Sequence, residues 1–133
     1  MTKRRITREQ RLDWRNLDYS EWKTNTVHQY FADMNRDLYG IEYAPMRNWR
    51  FEQGVIKRAL DEYGAEVLHR VFDECFRTYR PTREYPILTA GFAVAYRLNT
   101  LAPRIMAELA AEREAEAVAQ AGPIDAEALK NVW

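Results

Sequence analysis

Apolar residues recur at helical spacing through most of the middle of the chain. Val27, Tyr30, Phe31, Met34 and Leu38 form one stripe and predict a helix over 26–39. Asn25 stands where an N-cap belongs, and Gly40 where a left-handed C-cap belongs. Pro45 marks the irregular stretch "IEYAPMR" that follows. A second helix is expected from about Arg50 to Tyr63, capped by Asn48, with Val55, Ile56, Ala59, Leu60 and Tyr63 buried. Gly54 falls inside it at a cost of about 1 kcal/mol against alanine, and a close helix crossing is the expected reason. The strongest apolar face runs from about Ala65 to Tyr79 through Val67, Leu68, Val71, Phe72, Cys75 and Phe76.

After the proline-bearing connection "RPTREYPIL", a short fourth helix is expected beyond Thr89. Pro103 suits the first turn of a fifth, because its missing N–H loses nothing there. Apolar residues thin out after Leu109, so the second half of that helix is expected to project into solvent or to touch another chain. The pattern predicts an all-α, single-domain bundle of five to six helices with a central αα-hairpin and a core from residues 26–110. The helical domain is expected over residues 23–121. Residues 1–22 read as a basic N-terminal arm containing aromatic residues, and 122–133 as a tail. Within the arm, residues 1–19 lack sustained periodicity; docking of the arm through Trp14, Leu17 and Tyr19 is one option, with Trp22 opening the folded part.

The joint "EYGAE" raises the choice between a DNA-reading helix-turn-helix and a core-filling antiparallel hairpin. The helix after Gly64 carries Glu66, His69, Arg70, Asp73, Glu74 and Arg77 on its polar face. Acidic groups there oppose phosphate approach, and the wide apolar face demands burial, so the hairpin is expected.

Charge changes the picture at the ends of the chain. The 20 basic and 20 acidic residues cancel overall, yet residues 1–16 hold six basic residues against two acidic ones, and 104–133 hold three against six. Sixteen of the basic residues are arginine, which suits phosphate contacts and equally follows from genome base composition. A basic arm fits an anionic partner; it also fits a dipolar chain whose ends attract each other. With a single cysteine and no long apolar run, the expectation is a reduced cytoplasmic protein, with no secretory signal and no membrane contact.

No pattern points to catalysis. Glu66 and His69 make one E-x-x-H, whereas a di-metal carboxylate bundle needs two such pairs and further glutamates. Cys75 lies on the buried stripe and reads as a core hydrophobe. No cofactor, metal ligand or catalytic residue is expected. In "RTYRPTREYP", Arg77, Arg80 and Arg83 interleave with Tyr79 and Tyr85. With Lys3, Arg4, Arg5, Arg8 and Arg11 of the arm, they form the candidate nucleic-acid surface. The bland alternative is a stiff loop with tyrosines packed inward and arginines solvated. Trp14, Tyr19 and Trp22, with Leu129, Val132 and Trp133 at the other end, are the candidate partner anchors.

Residues 48–101 resemble helical segments of small phage and prophage proteins that accompany DNA replication. The likeness rests on Trp49, Gly54, Ile56, Lys57, Leu60, Tyr63, Gly64, Glu66, Phe72, Phe76, Thr89, Gly91 and Phe92. The separate DNA-binding winged helix usual there is absent, and most matching positions are packing positions. The resemblance implies a viral or prophage accessory protein in replication or gene expression that acts by binding. The first expectation is a factor in the host cytoplasm that binds a replication or transcription protein, with nucleic-acid contact through the arm and the 77–83 loop left open. The alternative is a purely protein-binding or inhibitory factor with no nucleic-acid contact. A helical enzyme with a metal site shared across a dimer is a third reading, of a different class. Oligomeric state is open at this level.

Overall fold

The computed structural model describes residues 5–121. Among them every regular element is helical, and no helix is long and apolar enough to cross a membrane. The order is α1 (Arg8–Leu12), a 3-10 turn at Tyr19–Glu21, α2 (Thr24–Tyr39), α3 (Trp49–Tyr63), α4 (Ala65–Thr78), α5 (Ala90–Phe92) and α6 (Asn99–Ala121). A π-helical segment, Ala93–Leu98, joins α5 to α6.

Local chemistry sets these boundaries. Thr7 and Gln10 cap α1 reciprocally, each side chain accepting the other's backbone N–H. Helix α2 begins at Thr24, earlier than an Asn25 cap implies, because the Thr26 hydroxyl accepts the Lys23 N–H. Gly40 closes α2 as expected, its N–H reaching the Arg36 carbonyl. Asn48 caps α3, Oδ1 accepting the Phe51 N–H at 2.8 Å. Thr89 caps α5 through the Phe92 N–H.

Gly64 alone separates α3 from α4. Its φ of 82° and ψ of 161° lie where residues with a Cβ are strained, so a single glycine ends one helix and starts the next. Helix α4 is the hub: Leu68, Val71, Phe72, Cys75 and Phe76 are buried, and α3, α6 and the π-helical turn all pack on it. Its polar face lies against α6, where Arg70 makes a two-pronged pair with Glu112 and Arg113 bonds Glu66. Those contacts tie Glu66 and Arg70, in the first half of that face, to α6, while Asp73 and Arg77 stay exposed.

Several expectations are corrected. The fourth and fifth helices are one continuous helical run, because the π-helical turn carries the axis through the expected break. Pro103 therefore sits inside α6, not in its first turn. Leu38 is exposed although it lies in phase with Phe31, because it stands in the last turn of α2, beyond the packed part of that face. The arm also belongs to the core. Trp14 and Trp22 are buried, so the arm docks on the bundle through both rings. From residue 110 to 121, α6 is exposed throughout, as its fading apolar pattern predicts.

Candidate binding cleft and the networks beneath it

Two irregular segments, residues 40–48 and 79–89, meet at one end of the bundle. Each is anchored by a buried polar side chain. Glu52, on the first turn of α3, is fully buried and accepts four hydrogen bonds. His28 Nε2, at 2.9 Å, and the Tyr43 hydroxyl donate to Oε1; the backbone N–H groups of Met46 and Gly91 donate to Oε2 at 2.8 and 3.0 Å. Burial pushes this carboxyl up, but the four donors outweigh it and hold Glu52 below its ordinary value. The Tyr43 oxygen in turn accepts the Ala90 N–H, so one phenol joins the 40–48 segment to α5.

Asn35 performs the matching task for the second segment. Its side-chain amide donates to the Leu88 carbonyl and its Oδ1 accepts the Leu88 N–H, both at 2.9 Å. Tyr79 adds bonds from its hydroxyl to the carbonyls of Tyr85 and Ile87. Thr82 and Tyr85 close a turn between them. The loop is therefore fixed by hydrogen bonds as well as by Pro81 and Pro86.

Gly91 lets the segments come together. A Cβ there would lie 2.8 Å from Met46 Sδ, 2.9 Å from Met46 Cβ and 3.2 Å from Glu52 Oε2. Gly91→Ala is expected to destabilise the protein by about 1–3 kcal/mol, the usual cost of overpacking. Chemical denaturation checks this, and an unchanged midpoint would disprove the close fit.

Between the anchored segments lies an apolar cleft of about 420 Å³, walled by Met46, Tyr79, Tyr85, Pro86, Ile87 and Phe92. Arg80, Thr82 and Glu84 supply its polar edge. Tyr85 is 66% exposed and Phe92 40%, large rings with much of their surface facing solvent. Arg80 and Arg83 are exposed and make no ion pair among the described residues. Arg77 differs: its guanidinium bonds Glu74, which Arg104 also approaches, and these partners hold the Glu74 carboxyl down at about 2.

Comparison of the chain with family models, curated proteins and solved structures found no match.

The other sequence candidates fall in different places. Arg11 bonds the Glu21 carbonyl and carboxylate, and Arg15 reaches Asp33 and Asp37, so the arm's charge is partly neutralised within the chain. Arg5 and Arg8 are exposed. Lys3, Arg4, Leu129, Val132 and Trp133 lie outside the described residues.

Trp14 and Trp22, expected as anchors for a partner, instead pack inside the chain and have little surface left for one. The Trp14 indole N–H donates to Asp33 at 2.9 Å, and its ring stands edge-on to Tyr30. Tyr19 bonds His69 Nδ1 at 2.8 Å. The rings of Trp14, Tyr19, Trp22 and Tyr30 surround His69 at 5.2–5.7 Å, and burial lowers the pKa of its imidazole. Glu66 bonds Arg113 while His69 faces this aromatic box, so the E-x-x-H pair is divided between two structural tasks. Among the described residues no cluster of ligand-type side chains could hold a metal. Cys75 is buried, and burial raises its thiol pKa.

Sequence reasoning missed Glu52, Asn35 and Tyr43. A signal existed for two of them. Glu52 is in phase with Ile56, Ala59 and Tyr63, and Asn35 lies one turn beyond Phe31. A polar residue in register with a buried stripe marks a buried network. Tyr43 sits in irregular chain with no period to reveal it.

Proposed function

We propose that this protein is a non-enzymatic accessory factor of phage type, working in the host cytoplasm by binding a replication or transcription protein through the cleft. Arg80 and Arg83, exposed beside the cleft, would be the residues that touch nucleic acid held by that partner. The observation that carries this reading is an apolar cleft with exposed aromatic rings, built on loops fixed from beneath. A preformed apolar site of this kind loses little entropy when an apolar segment enters it. The polar groups beneath it are occupied in holding the loops, which favours binding over chemistry. The resemblance of residues 48–101 to phage replication-associated proteins supports the setting. Pairing of Arg11, Arg15 and Arg77 with carboxylates favours the second reading, a protein-binding or inhibitory factor with no nucleic-acid contact.

Affinity capture from bacterial host extract tests the proposal, with wild type and the Tyr85→Ala/Phe92→Ala double variant as baits. A replication or transcription protein should be retained by wild type and lost at least about tenfold by the variant, as expected for paired aromatic anchors. Equal recovery on both baits would remove the cleft from the interaction. Nuclease treatment separates the two readings: recovery that survives it favours direct protein contact.

A further inference from the structure

The outer face of α3 remains unexplained by the fold or by the cleft. Between Tyr43 and Leu60 the chain has one acidic residue, Glu52, and it is buried. The same stretch has four basic residues, Arg47, Arg50, Lys57 and Arg58, all exposed. Acidic residues bound the stretch, Glu42 before it and the exposed Asp61 and Glu62 in the last turn of α3, where Lys57 approaches Asp61; the three arginines make no ion pair among the described residues. In a chain of zero net charge this is a concentrated positive surface on a rigid helix.

Arg50, Gly54 and Arg58 are spaced i, i+4 and i+8, so they lie along one face. The expected close helix crossing at Gly54 is not found: a Cβ there would meet nothing within 4 Å. The glycine weakens the helix and serves no contact inside the protein. It leaves a gap between two arginines. Arg47 lies in the loop before the helix, its backbone in the left-handed region at φ 64° and its guanidinium over the first turn of α3, 4.7 Å from the Phe51 ring centroid.

We propose that the Arg50–Gly54–Arg58 face of α3, with Arg47 just before the helix, binds the phosphate backbone of double-stranded DNA, with one strand seated over Gly54 between the flanking arginines. The distance from Arg50 to Arg58 is about 12 Å along the helix axis. At one phosphate per roughly 3.4 Å of axis on each strand, that covers three or four phosphates. A single strand is the poorer fit, because its binders offer aromatic faces on which bases stack. Here Trp49, packed edge-on to His28, is half exposed, while Arg47 covers the Phe51 ring: this face offers one open ring, not a row of them. The contact is sequence-independent and separate from the cleft.

Fluorescence anisotropy with a short labelled duplex of mixed sequence, and with its single strand, tests this. Wild type should bind the duplex more tightly, and log affinity should fall with log salt at a slope near −3 for three arginines engaged. Arg47→Gln/Arg50→Gln/Arg58→Gln should weaken binding at least tenfold and abolish most of that slope. Arg80→Gln/Arg83→Gln should change it less than twofold. Gly54→Glu is the decisive single variant. Glutamate is the better helix former, so thermal stability should rise, while a carboxylate in the gap should reduce affinity at least tenfold. No duplex binding at low salt, preference for the single strand, or a Gly54→Glu variant that binds like wild type would each overturn the proposal. So would loss through Arg80 and Arg83 instead of α3. Capture of a protein partner through Tyr85 and Phe92 should be unaffected by the α3 variants, which keeps the two proposals separately testable.

Discussion

Glu52→Ala is expected to cost about 3–5 kcal/mol, a large part of the 5–15 kcal/mol that typically holds a domain folded. The loss exceeds that of an ordinary surface glutamate because four donors lose one acceptor together. His28, Tyr43 and the N–H groups of Met46 and Gly91 would face a cavity, each bearing an unmet desolvation penalty. Thermal unfolding should show a fall in Tm of roughly 10–20 °C. Glu52→Gln is the informative companion, since it keeps the shape but turns an NH2 group toward existing donors. It too should be clearly destabilised. A Tm within about 2 °C of wild type for both variants would mean that the network contributes little.

The same carboxylate predicts an acid response. Its pKa in the folded protein lies below the ordinary value, so the unfolded chain binds the proton more readily. Its contribution is complete above the ordinary carboxylate range and disappears as pH falls through the folded-state pKa. Wild type should therefore lose stability in acid more steeply than Glu52→Gln.

Trp14→Ala is the second large effect, expected at about 3–5 kcal/mol. The indole joins the arm to the bundle by packing on Tyr30 and His69 and by its bond to Asp33. Removing it should open the arm before the bundle. Trypsin should then cut faster at Arg8, Arg11 and Arg15, and amide hydrogens around Trp22 should exchange sooner. Trp14→Phe retains a ring without the N–H donor and should lie between the two. Unchanged cleavage in Trp14→Ala would show that Trp22 and Tyr19 suffice to hold the arm.

Helical class, the caps at Asn48 and Gly40, the helix start after Thr89 and the buried face of α4 were all legible in the sequence. Each depends on interactions within a few residues, where spacing and side-chain type carry the information. The arm was harder to read. Trp14 and Trp22 are fixed by partners on α2 and α4, and no local pattern announces a contact across so much chain. The cleft was legible only as a row of residues. "RTYRPTREYP" allowed a stiff loop with inward tyrosines and solvated arginines, which Tyr79, Arg80 and Arg83 follow and Tyr85 does not; it did not show that Asn35 would grip Leu88. Gly91 resisted for a similar reason: its close approach involves Met46 and Glu52, residues far away in sequence.

The π-helical turn at Ala93–Leu98 acts as a phase setter. A π-helical turn holds one residue more than an α-helical turn, and each residue of an α-helix advances the side-chain direction by about 100°. With an uninterrupted α-helix from Ala90 onward, every position beyond the turn would face a direction about one residue away. Leu101, Ala102, Ile105 and Leu109 would rotate off the core, and Glu112 and Arg113 would swing away from Arg70 and Glu66. The widened turn thus lets one helical run serve two registers, one matched to the cleft and the other to the polar face of α4.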